Sequence, residues 1–298
     1  MKERVGIAGV GLMGHGIARN LIKHGYGLTV LEHPGNQPLD ELKGGGATTV
    51  PTAKALAAEC NVLILCVTGS PEVEAVLCGT DGALEGLRQG TIVIDCSTAV
   101  PASSVRMAEA VRAAGGHFID APMTRTAQHA HEGRLNLLVG GDKAVIEGIT
   151  PLLRAFAENI AYAGGVGAGH RLKLLHNFVS LGSMALIAEA AACAAHSGIE
   201  PEVFIEVLAG GGGAGVALDR LKPAILDPNG TPVQFFMANA LKDLRYYTSM
   251  ADDTRAEHLI ADAVSNTLDA AVKQGGARAM VSDLVALLSQ RNTDTPRQ

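Results

Sequence analysis

The sequence predicts an α/β protein, a doubly wound parallel sheet followed by an all-α C-terminal domain. Three observations carry this. Short apolar runs alternate with helix-period segments through residue 163. The alternation stops at the glycine run Gly164-Gly165-Val166-Gly167-Ala168-Gly169. Beyond it no strand pattern is recognisable, and helical periodicity takes over. A chain of 298 residues exceeds the usual size of a single core, so two domains are expected, 1–165 and 166–298.

Val5, Ile7, Ala8 and Val10 form the first short apolar strand, and Gly9-Val10-Gly11-Leu12-Met13-Gly14 follows its end as a G-x-G-x-x-G run. Gly9 permits the tight turn, Gly11 lacks the Cβ that would block a pyrophosphate, and Gly14 lets the next helix press against the sheet. That helix spans Leu12 to about His24 and presents free N–H groups and its positive dipole end to phosphates. Gly25 ends it, and Leu28 to Leu31 make a second strand with Glu32 at its end. A carboxylate about 20 residues after the glycines is placed to bond ribose hydroxyls and to repel a 2′-phosphate. Gly9, Gly11, Leu12, Met13, Gly14 and Glu32 are thus the candidate cofactor residues. NAD is the expected cofactor and NADP the alternative, with His33 softening the preference. An ordinary βαβ unit without a ligand is the bland reading.

Cys60 to Val67 and Thr91 to Cys96 are continuous apolar runs, as expected of parallel strands covered on both faces. Pro51 to Glu59 and Pro71 to Leu77 are expected to be helices opened by proline, and Val100 to Ala114 a further helix. A strand over His117 to Met123, another over Leu135 to Val139, a helix over Lys143 to Ala155 and a strand over Asn159 to Ala163 complete the half. In such a sheet the ligand crevice lies at the carboxyl ends of the strands.

After the glycine run, one helix is expected from Gly169 to His196, stopped by Gly198 and roughly 40 Å long. Further helices are expected over Pro201 to Leu208, Val216 to Leu226, Val233 to Met250, Ala256 to Lys273 and Ala279 to Gln290. The polar tail over 291–298 is expected to fray.

The formal charge of −6, the absence of Trp and the 3% aromatic content argue against a nucleic-acid partner. Lys2, Glu3 and Arg4 directly before a strand leave no room for a signal peptide, and Glu189 makes the apolar stretch Ala185 to Ala195 a poor membrane span. A cytoplasmic protein without membrane attachment is expected. The five cysteines contain no C-x-x-C, so reduced packing residues are expected, and no metal site is indicated.

Two patches carry chemistry. On the long helix, His170, Lys173, His176, Asn177 and Ser180 share one polar stripe, with Lys173 and Asn177 one turn apart. Such a stripe faces solvent or a wet cleft. In a hydride-transfer enzyme it has a use, because an alcohol must also lose a proton. The second patch is Asp120-Ala121-Pro122-Met123-Thr124-Arg125-Thr126. Two hydroxyls flanking a guanidinium suit a carboxylate, sulfonate or phosphate, while a plain surface arginine is the alternative.

Taken in order, these motifs resemble the β-hydroxyacid dehydrogenase family, whose members look like 3-hydroxyisobutyrate dehydrogenase. The family's G-x-G-x-M-G is met at Gly9 to Gly14, its D-x-S-T at Asp95-Cys96-Ser97-Thr98, and its D-A-P-V-S-G-G is answered by Asp120 to Thr126. Its G-x-G-x-x-x-K-x-x-N-N is met by Gly167, Gly169, Lys173 and Asn177, and its K-D-L by Lys242-Asp243-Leu244. The resemblance implies a Rossmann-type dinucleotide domain followed by a helical domain that makes a homo-oligomer, a dimer or a tetramer. It implies Lys173 as proton shuttle with Asn177 as partner, Thr98 and Lys242 along the nicotinamide and substrate, and Thr68 along the dinucleotide. This chain departs from the pattern at Thr124-Arg125-Thr126, in place of Ser-Gly-Gly, and at His176, in place of the first Asn. A Gly-Arg-Thr version occurs in members similar to 3-sulfolactaldehyde reductase, where the Arg helps hold a sulfonate. The expected activity is interconversion of a small anionic 3-hydroxy acid, or its sulfonate analogue, and the semialdehyde. An imine reductase, against which Lys173 counts, and a non-catalytic nucleotide-binding or redox-sensing protein are the rival readings.

Overall fold

The computed structural model describes residues 2–227 and 230–290, so the tail over 291–298 lies outside the described residues. The chain divides into two compact units, Met1–Lys173 and Leu174–Gln298.

The first unit begins β1 (Arg4–Ala8), α1 (Leu12–Lys23), β2 (Gly27–Leu31), α2 (Asp40–Gly44), β3 (Thr48–Val50), α3 (Ala53–Glu59) and β4 (Val62–Leu65). It continues with α4 (Ser70–Cys78), α5 (Ala83–Gly86), β5 (Ile92–Asp95), α6 (Pro101–Ala113), β6 (His117–Asp120) and β7 (Met123–Thr124). Then come α7 (Ala127–Glu132), β8 (Leu135–Gly140), α8 (Lys143–Leu153), β9 (Ala157–Gly164) and the start of α9 (Ala168–His196). The strands order as β3-β2-β1-β4-β5-β6-β8-β7, with β9 on β8. The first six are parallel and follow the dinucleotide-binding order, which reverses between β1 and β4. Helices cover both faces, and the strands divide their side chains accordingly. Ile64 and Ile94 enter one apolar cluster with α1, while Leu63, Leu65 and Val93 enter the other with α3.

Several boundaries differ from the sequence expectation for identifiable reasons. The strand expected over His117 to Met123 is split, because Pro122 has no N–H to give the ladder. The chain re-pairs as β7, antiparallel to β8. Pro51 lies outside α3, whose N-cap is Thr52 with its hydroxyl accepting from the Ala55 amide at 3.2 Å. The short elements α2, β3, α5 and α7 have too few periodic positions to show in the sequence. Burial pushes the Cys60 thiol up to about 11 and Cys66 up to about 12, in keeping with packing roles. Cys78 and Cys193, by contrast, are exposed.

The second unit holds the rest of α9, then α10 (Pro201–Ala209), α11 (Val216–Leu226), α12 (Met237–Thr254), α13 (Leu259–Gly275) and α14 (Leu284–Ser289). Its core draws Met184, Ala188, Leu221, Leu244, Leu268 and Leu284 from these helices, and Phe178 stacks on Tyr247 with ring centroids 4.3 Å apart. α12 starts at Met237 rather than Val233, because the backbone before it pairs elsewhere: Val281 donates to Phe235 and Met237 to Ala279. α13 starts at Leu259 because Arg255, at φ 57°, ends the preceding helix. A 3₁₀ turn over Val281–Asp283 occupies part of the last expected helix.

Candidate functional site

The turn after β1 gives its three glycines three different reasons. Gly9 has φ +94°, and a Cβ on it would lie 2.2 Å from the Cys66 carbonyl oxygen. A Cβ on Gly14 would lie 2.0 Å from the Gly9 oxygen. A Cβ on Gly11 would meet no protein atom within 4 Å, so packing does not ask for glycine there. A ligand does. Gly11 is also the N-cap of α1 without a side-chain cap, leaving the first amides of Leu12, Met13 and Gly14 for an anion. Glu32 stands exposed past β2, with one carboxylate oxygen accepting from the Thr49 hydroxyl at 2.8 Å. Thr68 is exposed past the end of β4. The residues present therefore fit a dinucleotide: a pyrophosphate cradle and a carboxylate for the ribose.

The start of α9 is bound into the sheet. Asp120, at the end of β6, accepts from the Gly167 amide at 2.7 Å and from the His170 amide at 2.8 Å, capping the helix. Gly169 lets this happen, since a Cβ there would lie 2.2 Å from the Leu138 carbonyl oxygen. Burial raises the Asp120 carboxyl above its ordinary range, against the opposing pull of His170 and these two amides. His170 was grouped with a polar stripe facing solvent or a cleft; the structure instead buries it completely. The first turn of α9 is thus held within the first compact unit, which ends at Lys173. Lys173 is half-buried, and its ammonium donates to the Met123 carbonyl at 2.7 Å. Thr98, half-buried, follows Ser97 on the loop after β5.

In the Met123–Thr126 segment, Thr124 is buried and its hydroxyl accepts from Asn136 at 3.2 Å. The Thr126 hydroxyl meets His129 Nδ1 at 2.8 Å. Arg125 sits at φ +82°, the left-handed region, and its guanidinium donates to Glu158 and to the Arg134 carbonyl. That hydrogen bond and charge hold the Glu158 carboxyl below the usual range. Sequence reasoning missed Glu158 entirely, since nothing local links a β9 glutamate to residue 125.

In the second unit, Asn177 is buried and its amide donates to Asp243 Oδ2 at 2.7 Å, while its Oδ1 meets His176 Nδ1 at 3.0 Å. Lys242 pairs with Asp243 Oδ1 at 2.9 Å, and its ammonium lies 5.0 Å from the Tyr246 ring centroid. Two predicted residues, Asn177 and Lys242, thus meet through Asp243, and a third, His176, joins them through Asn177. The middle letter of K-D-L was the available signal for Asp243.

Comparison with known proteins finds relatives of both halves of the chain. Residues 4–164 match the family model of the NAD binding domain of 6-phosphogluconate dehydrogenase, and residues 167–288 that of the NAD-binding region of NADP-dependent 3-hydroxyisobutyrate dehydrogenase. The chain is 32% identical over 208 residues to 2-hydroxy-3-oxopropionate reductase of Escherichia coli, covering 70% of each chain. It is 29% identical over 271 residues to glyoxylate/succinic semialdehyde reductase 2 of Arabidopsis thaliana, covering 91% of this chain and 75% of that one. Among solved structures, 3-hydroxyisobutyrate dehydrogenase from Salmonella typhimurium superposes with a TM-score of 0.85 at 26% identity, covering 96% of this chain and 100% of that one.

Proposed function

The chain belongs to the β-hydroxyacid dehydrogenase family of NAD(P)-dependent oxidoreductases, and on that premise we propose that it interconverts a small anionic 3-hydroxy acid, or hydroxy-sulfonate, and its semialdehyde. The observation that carries this reading is Lys173. Its half-buried nitrogen donates to the Met123 carbonyl at 2.7 Å, which holds it in place, and an ammonium carries three N–H donors. It is therefore available to an aldehyde oxygen during reduction, and the neutral amine takes a proton from the alcohol in the reverse direction. When bound, the nicotinamide supplies or accepts the hydride. Asn177, one turn further along α9, is oriented by Asp243, which fixes the direction of its amide. Thr98 and Lys242 are assigned to the nicotinamide and substrate, and Thr68 to the dinucleotide.

Thr124, Arg125 and Thr126, with His176, are assigned to the anionic end of the substrate. Glycines wrap a planar carboxylate with backbone amides; an arginine fills that space with a rigid fork suited to a larger or tetrahedral anion. The names of the Escherichia coli and Arabidopsis relatives, an oxopropionate and a succinic semialdehyde reductase, favour an anionic oxo compound over an imine. Glu32 favours NAD(H), since a carboxylate at the ribose repels a 2′-phosphate.

The test is NADH and NADPH oxidation with sulfolactaldehyde, succinic semialdehyde and a neutral aldehyde of similar size. Lys173→Ala is expected to keep NADH affinity near wild type and to lose about 10²- to 10⁴-fold in kcat. A variant retaining more than half of its kcat removes the shuttle assignment. A kcat/KM with NADPH equal to or above that with NADH overturns the cofactor preference.

A further inference from the structure

We propose that His170, which touches neither substrate nor cofactor in the scheme above, is a positioning residue that locks Lys173 against the Ser97-Thr98 loop. This rests on the reading of Lys173 as the proton shuttle. The imidazole is 0% exposed. Its Nε2 stands 3.2 Å from the Ser97 carbonyl oxygen, just past β5, and its Nδ1 stands 2.7 Å from the Ser104 hydroxyl on α6. The carbonyl only accepts, so Nε2 carries a proton. The hydroxyl gives or takes, and has a second acceptor in the Val100 carbonyl at 3.3 Å. Two fully buried carboxylates flank the ring, Asp95 Oδ2 at 3.9 Å from Nε2 and Asp120 Oδ2 at 3.8 Å from Nδ1.

Burying such a cluster is unfavourable, and a well-packed apolar residue of similar volume often serves stability as well or better. What apolar packing does not provide is direction. Here the first turn of α9 is held from three sides: its amides by Asp120 on β6, its ring by the β5 loop and by α6. The β5 loop is itself fixed, because the Ser97 amide donates to Asp95 at 2.9 Å and the Ser97 hydroxyl accepts from Val67 at 3.1 Å. Lys173 follows His170 by three residues, so a rotation or slide of this turn carries the amine with it. A proton shuttle tolerates little of that: a misplacement of about 1 Å costs on the order of 10²-fold in rate. One ring thus sets both the root of Lys173 and the loop that carries Thr98.

The experiment is a double-mutant cycle between His170→Leu and Lys173→Ala, with Ser104→Ala as a milder break of the same joint and His170→Gln as the conservative variant. His170→Leu is expected to lower kcat about 10- to 100-fold while the NADH dissociation constant moves less than about 2-fold. In the Lys173→Ala background the same substitution is expected to change kcat by less than about 2-fold. Ser104→Ala is expected to follow the same pattern at about 3- to 10-fold, and it decides the matter if His170→Leu does not fold. His170→Gln, with an amide donor for the Ser97 carbonyl, is expected to recover at least about 5-fold of the loss. Equal losses with and without Lys173, or a wild-type kcat in both His170→Leu and Ser104→Ala, overturn the proposal and leave the shuttle standing. If Lys173→Ala alone keeps its kcat, the shuttle reading fails and this proposal fails with it.

Discussion

The glycine turn after β1 and the Met123–Thr126 segment lie beyond the carboxyl ends of strands in one sheet, but they are specified in opposite ways. In the turn, backbone atoms of the turn itself and of the neighbouring β4 end decide each residue: the Cys66 oxygen forbids a side chain at 9, and the Gly9 oxygen forbids one at 14. In the segment, groups from elsewhere in the sequence decide: the Asn136 side chain holds Thr124, and the Arg134 carbonyl and the Glu158 carboxylate hold Arg125. The backbone at 125 still has the left-handed φ of +82° that suits the glycine the family keeps there. An arginine accepts that geometry at a cost of roughly 1–2 kcal/mol.

The largest expected effects come from the turn. Gly14→Ala, whose Cβ would sit 2.0 Å from the Gly9 oxygen, should destabilise the protein by about 3 kcal/mol or more, seen as a fall in Tm and in soluble yield. Gly11→Ala should separate ligand from fold: Tm within about 1 °C of wild type, but NADH binding at least about 10-fold weaker by titration calorimetry. Unchanged NADH affinity would show that the pyrophosphate does not pass over Gly11.

The intermediate effect belongs to the segment. Arg125→Gly should lower kcat/KM for an anionic aldehyde by about 10- to 100-fold, the worth of a hydrogen bond to a charged group, and barely alter it for a neutral aldehyde. Its Tm should not fall, because relief of the left-handed backbone offsets the lost tie to Glu158. Equal kinetic loss on charged and neutral substrates would make Arg125 structural.

The smallest effect concerns Glu158, whose carboxyl is held low by Arg125. A depressed folded pKa contributes stability above the ordinary carboxylate range, and that contribution disappears as pH falls through the lowered value. The Tm gap between wild type and Glu158→Gln should therefore be small at pH 7 and close progressively in acid. A gap that persists at the lowest pH would mean the tie is packing rather than charge.

How much of the candidate site was legible follows the same division. Glu32, Lys173 and Asn177 could be named because a carboxylate at a strand end, or an amine and an amide one helical turn apart, are local patterns. Asp243 was visible only as a letter in K-D-L, and its bond to Asn177 joins residues 66 apart. His170 was placed on the wrong kind of surface, since periodicity records which residues share a face and not what that face meets.

The sequence by itself determined the alternation of strands and helices, the glycine turn, the long helix and the placing of Lys173 and Asn177 one turn apart on it. Each of these depends on contacts within a few turns or on the backbone's own conformational limits. Tertiary structure alone decided that the chain after Pro122 re-pairs with β8, that Arg125 meets Glu158, and that the start of α9 is rooted in the sheet by Asp120 and His170. Those outcomes depend on which buried polar groups find partners across the fold, and a buried donor or acceptor must be paired wherever along the chain its partner lies.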